Sequence, residues 1–301
     1  MPYNPLLRQY GRLSPRRQVP QGRISIDYSH PLAQGLMGAW VLGSGQGIDL
    51  TGNCPQLFNS TGTGWYSNIS QEGIAYGLTP ASITNSPILN GPAPPQYTTW
   101  VNNALSMYYR GDRNGLGSAA YTGPCLMFIS YDNGIVYPYR IAAIADFTDV
   151  NTDLATLSAI WNAGGSVDTG TTVSFEQAGT VSALATFKVN GNVVLYKNGV
   201  AAATNLWTVS GGSGPSNVGT APQISINGWG GSGVARNSPT IGYVAYIWNR
   251  ELSANEAALL DADPYGFLLS DFESEWAAGP IFLPPAAVVT RGSTLPFMGV
   301  G

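Results

Sequence analysis

Charge is what this chain lacks most. Thirteen Lys and Arg and seventeen Asp and Glu make up only 10% of 301 residues, against about 25% in an ordinary soluble domain. Ordinary disorder is excluded, because disordered segments are charge-rich and poor in aromatics, and 11% of these residues are aromatic. Histidine occurs once, as His30 between Ser29 and Pro31. With no Gly-x-Ser-x-Gly elbow in the sequence, His30 reads as a structural or hydrogen-bonding residue rather than a general base. Two cysteines, Cys54 and Cys125, are too few for a disulfide framework or a zinc site, and read as small buried hydrophobes, with a disulfide between them the alternative. No Gly-Lys-Ser/Thr exists for a phosphate loop. No apolar run approaches the ~18 residues of a membrane helix, and the N-terminus has no signal-peptide core. Only two lysines occur, Lys188 and Lys197, which argues against a helix-rich chain.

In their place stand 38 glycines with abundant Ser, Thr, Asn, Val, Ile and Tyr, a composition suited to short strands and tight turns. Strand-like runs recur at 35–42, 104–109, 125–131, 140–145, 157–161, 182–189, 193–197, 223–226 and 241–248. Asn190-Gly191-Asn192 and Lys197-Asn198-Gly199 mark hairpin turns, since Asn and Gly accept positive φ. This rhythm predicts an all-β antiparallel sandwich or jelly roll over residues 27–270. Residues 53–100 read as a loop-rich insertion. Ser253-Ala254-Asn255-Glu256 is a capping box opening one short C-terminal helix that Pro264 ends, placed at a sandwich edge. Residues 1–26 hold Arg8, Arg12, Arg16, Arg17 and Arg23 with no acid, a charge of +5 that leaves −9 for the remainder. With four prolines and no periodicity this segment predicts an extended basic arm, and 271–301 predicts an extended Pro-rich tail.

Motifs that carry chemistry elsewhere fail here on context. Gly228-Trp229-Gly230-Gly231-Ser232-Gly233 fits a dinucleotide fingerprint by spacing, but no helix start follows it. Asp149-Val150-Asn151-Thr152-Asp153 alternates oxygen side chains as calcium loops do, yet Leu154 and Ile160 occupy the positions that need Gly and Glu. An Asx turn is the better reading, and no cofactor is expected, with calcium the one alternative. Asp271-Phe272-Glu273-Ser274-Glu275 would put three acids on one strand face, as glycosidases require of two. It lies beyond the helix, outside the core strands, and reads as a solvated acidic stretch. Trp65, Tyr66 and Trp229 sit in glycine-rich segments, where rings can stack on sugars while amides meet hydroxyls. The alternative is that each ring folds back over the sandwich.

Ile24 to Trp40, followed by Ile48-Asp49-Leu50-Thr51-Gly52-Asn53, resembles the opening of laminin-G-like (concanavalin A-like) jelly rolls of tailed-phage proteins. Val193 to Val200 resembles the family's central hairpin, and Ile241 to Ser253, with Asp263-Pro264-Tyr265 after it, the last strand and helix entrance. Asn53-Cys54-Pro55 and Tyr243-Val244-Ala245 depart from the pattern, which puts a calcium or ligand site at those positions in doubt. The resemblance implies a non-enzymatic virion structural protein: a capsid decoration, head-fibre or tail-associated jelly roll, made in the host cytoplasm and exposed on the particle exterior. The five arginines would hold it to other virion proteins, and a homo-oligomer is expected. Nucleic acid is an unsuited partner for a chain of net charge −4 whose basic charge is confined to one arm. The alternatives are a module binding host-surface glycans and a glycoside hydrolase.

Overall fold

In the computed structural model the described residues are 20, 22–42, 47–59, 67–70, 73–76, 89–94, 104–114, 125–132, 139–149, 154–162, 168–175, 178–207, 221–231, 234–237 and 240–270. Alternation of side chains builds the two main sheets. Along β7 (Ala104–Asn114), Leu105, Met107 and Tyr109 enter one buried cluster while Tyr108 enters another. β12 (Ala178–Lys188) repeats this, with Val181, Ala183, Ala185 and Phe187 on the first side and Leu184 on the second. These strands belong to an eight-stranded sheet. Its order is β14 (Val200–Trp207), β13 (Gly191–Lys197), β12, β7, β18 (Thr240–Trp248), β5 (Gly73–Tyr76) and β4 (Ser67–Ser70), with β2 (Leu36–Val41) also on β18. A seven-stranded sheet runs β11 (Asp168–Phe175), β10 (Leu154–Asn162), β9 (Tyr139–Asp149), β8 (Cys125–Asp132), β15 (Ala221–Ile226), β6 (Leu89–Pro92) and β3 (Phe58–Asn59). All pairings are antiparallel. The first cluster fills the space between the sheets, with Trp40, Leu89, Met127, Ile144, Ile224 and Ile247 in it. The chain is an antiparallel β-sandwich.

The turns follow local chemistry. Asn198 and Gly199 both have positive φ, 51° and 76°, as a two-residue hairpin between β13 and β14 demands. Asn190, at φ 54°, turns β12 into β13. The expected helix is α1 (Ala254–Ala262). Its Ser253 cap accepts from the Glu256 amide, and Glu256 reaches back to the Ser253 amide at 2.9 Å. Arg250 Nη2 lies 2.6 Å from Glu256 Oε1 and helps hold its pKa below the ordinary value although burial pushes it upward.

Three placements add detail to the sequence reading. α1 lies on the outer face of the eight-stranded sheet, at its β14 edge as expected. Ala257 and Leu260 pack with Tyr108, Tyr246 and Trp248, because those strands alternate large apolar residues on both faces and the outer set needs cover. The Tyr108 hydroxyl donates to Leu260 O at 3.3 Å, and burial raises its pKa to about 12. Residues 53–100 supply β3, β4, β5 and β6, strands of two to four residues too short and too rich in Gly and Ser to show a period. Finally, β1 (Ile24–Ile26) belongs to the body, not to the arm: Ile24 pairs with Ser270, and Ile26 with Leu268, of β19 (Leu268–Ser270).

Candidate ligand-binding face

The inner face of β15 carries Ile224 and Ile226 into the core, so Gln223 and Ser225 occupy the outer face. The same logic on β6 buries Leu89 and turns Asn90 outward. Register then sets these residues side by side: Phe58 opposite Asn90, Asn90 opposite Ser225, and Ser225 opposite Phe128. Ser225 Oγ donates to Asn90 Oδ1 at 2.9 Å, and Asn90 Nδ2 donates to Gln223 Oε1 at 3.3 Å. The two bonds fix both amide orientations. Ser225 is buried, Asn90 and Gln223 are half-buried, and Phe58, on the outermost strand of the sheet, is 62% exposed. The arrangement is an aromatic ring beside a ladder of oriented amides and a hydroxyl. Such groups donate and accept hydrogen bonds in one plane and offer an apolar face next to it.

Beyond Ile226 the chain enters Asn227 at φ 63°, whose amide donates to Leu126 O at 2.9 Å. The Asn227 side chain accepts from the buried Tyr109 hydroxyl. This anchor launches a hairpin of β16 (Gly228–Gly231) and β17 (Val234–Asn237), in which Trp229 pairs with Arg236. The glycine-rich stretch is therefore a strand rather than a helix-opening phosphate loop. The hairpin stands off the same end of β15 as the Asn90–Ser225 row.

A second structure holds up the Phe58 edge. Asp49 is buried, and its carboxylate accepts from four backbone amides: Ala39 at 2.9 Å and Thr51 at 3.0 Å on Oδ1, Asn53 at 3.1 Å and Cys54 at 2.9 Å on Oδ2. Thr51 Oγ1 lies 2.6 Å from Oδ2. The loop closes with the Leu57 amide on Gly47 O at 2.9 Å and Cys54 Sγ 3.7 Å from Pro92 O. Phe58 and β6 thus inherit their positions from Asp49. Cys54 is a free thiol, which burial and the Asp49 charge push up to about 12.

Of the residues expected to act, Trp229 lies in β16, opposite Arg236 of β17. Trp65 and Tyr66 fall outside the described residues, immediately before β4. Arg8, Arg12, Arg16 and Arg17 also fall outside them, while Arg23 is exposed next to β1. The acidic stretch 271–275 lies beyond the described residues, as do 150–153. Asp149 and Leu154 pair at the ends of β9 and β10, so 150–153 link two hairpin strands. Among the described residues no three His, Cys, Asp or Glu come together as metal ligands. His30 is buried and caps the 3-10 turn Pro31–Ala33, its Nδ1 accepting from the Leu32 amide at 3.2 Å. Phe58, Asn90, Gln223 and Ser225 were not singled out by sequence. The polar–apolar alternation Gln223-Ile224-Ser225-Ile226 was the available signal.

No protein-family model matches the chain, and no curated protein matches it in sequence. Solved structures do match. The botulinum neurotoxin serotype C1 binding domain aligns with a TM-score of 0.54 at 12% identity, over 76% of this chain and 52% of that one. The binding domain of botulinum neurotoxin DC in complex with SialylT gives 0.52 at 11%, over 76% and 51%. Trypanosoma rangeli sialidase in complex with sialic acid gives 0.52 at 14%, over 76% and 33%. The chain spans about one third to one half of these three chains. At these identities the likeness shows the fold, a β-sandwich.

Proposed function

We propose that this chain is a non-enzymatic glycan-binding β-sandwich. One observation carries the reading: the oriented Asn90–Gln223–Ser225 ladder beside the exposed Phe58 ring, on a strand edge free of charge. A sugar ring stacks its C–H face on an aromatic ring while its hydroxyls meet planar amides, and no charge is needed. The neighbours support glycans as the ligand class and leave the charge of the glycan open, since two of them are named as complexes with SialylT and with sialic acid. A glycan array followed by titration calorimetry tests it. Phe58→Ala and Gln223→Ala should each weaken binding of the selected glycan at least tenfold, about 1.4 kcal/mol, with Tm within about 2 °C of the parent. An array silent at high protein concentration overturns the reading.

A second reading is favoured by the register of the terminal ribbon. Because Ile24 pairs with Ser270, the first and last strands of the sandwich body lie side by side. A laminin-G-like structural protein of a tailed-phage virion, exposed on the particle and held through both terminal segments, would suit this arrangement. The glycan face then serves adsorption. Deleting residues 1–22 should abolish incorporation into particles while leaving the fold intact by circular dichroism. Undiminished occupancy of the particle by the truncated chain overturns the attachment role.

A further inference from the structure

Resting on the glycan reading, we infer that the face formed by Phe58, Asn90 and Gln223, with the buried Ser225 orienting Asn90, takes neutral saccharides and discriminates against those bearing carboxylate or sulfate. The inference comes from what the three strands carry. β3, β6 and β15 together hold no Asp, Glu, Lys or Arg. A bound carboxylate loses its hydration and regains it only where a cation or several converging donors meet it, the work that Arg does in bidentate form. Here Ser225 Oγ donates to Asn90 Oδ1, and one Asn90 Nδ2 hydrogen is spent on Gln223 Oε1. The internal bonds thus consume donors that a bound anion would need.

Two cations border the face. Gln223 is opposite Ser130, and Ser130 is opposite Arg140 of β9. Arg236 pairs with Trp229 in the hairpin that follows β15. The test must therefore include both arginines. Without a cation on β3, β6 or β15 themselves, affinity for a neutral glycan carries no Coulombic component for salt to screen.

The experiment uses the full chain on an array holding matched neutral, sialylated, uronic-acid and sulfated glycans, followed by calorimetry in low and high salt. The result expected is binding confined to neutral glycans, with affinity changing less than about twofold between about 0.05 and 0.5 M NaCl. Arg140→Gln and Arg236→Gln should each leave that affinity unchanged within the same factor. Binding that prefers acidic glycans, falls with salt and is lost in either variant overturns the inference while leaving the glycan reading standing. Binding of no glycan overturns the glycan reading and the inference with it.

Discussion

Replacing Asp49 with alanine should destabilise the protein by about 4 kcal/mol, lowering Tm by roughly 10 °C. The carboxylate accepts from four backbone amides and approaches the Thr51 hydroxyl, all around a group 6% exposed. Each buried amide deprived of its acceptor costs about 1–3 kcal/mol, and water entering the space left by the side chain recovers part of this. Asp49→Asn separates charge and shape. It preserves an acceptor at Oδ1 but turns an NH₂ group toward the Asn53 and Cys54 amides, donors facing a donor, so at least half of the loss should persist. The effect also reaches the face. Loosening residues 50–57 frees Cys54 from Pro92 and Leu57 from Gly47, and Phe58 follows directly. Glycan affinity in Asp49→Asn should therefore fall with stability, although Asp49 touches no ligand. Thermal denaturation followed by calorimetry checks both parts. A Tm within about 2 °C of the parent would show the loop to be held by other contacts.

Local chemistry was legible in the sequence and non-local chemistry was not. The Asn198-Gly199 turn, the Asn190 turn and the Ser253–Glu256 capping box each depend on residues within four positions of one another. Their φ angles and bonds match what those residue types require. Long alternating strands such as β7, β12 and β18 were visible because a buried sheet imposes a period of two. β3 to β6 were not visible, since two to four residues with Gly or Ser carry no period, and their pairing with β15 and β18 comes from distant sequence. The candidate face fails to announce itself for the same reason. Asn90 and Gln223 lie 133 positions apart, and neither is unusual on its own strand. Asp49 was noticed within a family-like opening, but five contacts to one carboxylate exist only once Met37–Val41 and 50–54 have been brought together. The charge-poor composition, by contrast, bears on function directly: it leaves β3, β6 and β15 with hydrogen-bonding groups alone.

Gly242→Ala tests how that face is held from behind, and should cost about 3 kcal/mol with a loss of glycan affinity of about tenfold. Gly242 pairs with Gly111 of β7 and Tyr76 of β5, next to a bulge in β18. A methyl there would stand 2.5 Å from Leu42 Cδ1, 2.8 Å from the Tyr109 hydroxyl and 2.9 Å from Asn227 Oδ1. These are side-chain ends, and in an open site they would swing aside cheaply. Leu42, Tyr109 and Asn227 are all at least 98% buried, so each movement displaces packed neighbours. The route to the ligand runs through Asn227. Its side chain accepts from Tyr109, its backbone holds Leu126, and its positive φ directs the chain from Ser225 into the hairpin bearing Trp229. Pushing Asn227 outward tilts that hairpin against the face. Tyr109→Phe removes one of the three clashing atoms, so the double variant should lose less stability than the two single losses combined. Strict additivity would place the strain elsewhere, and affinity unchanged in a destabilised Gly242→Ala would uncouple the hairpin from the face.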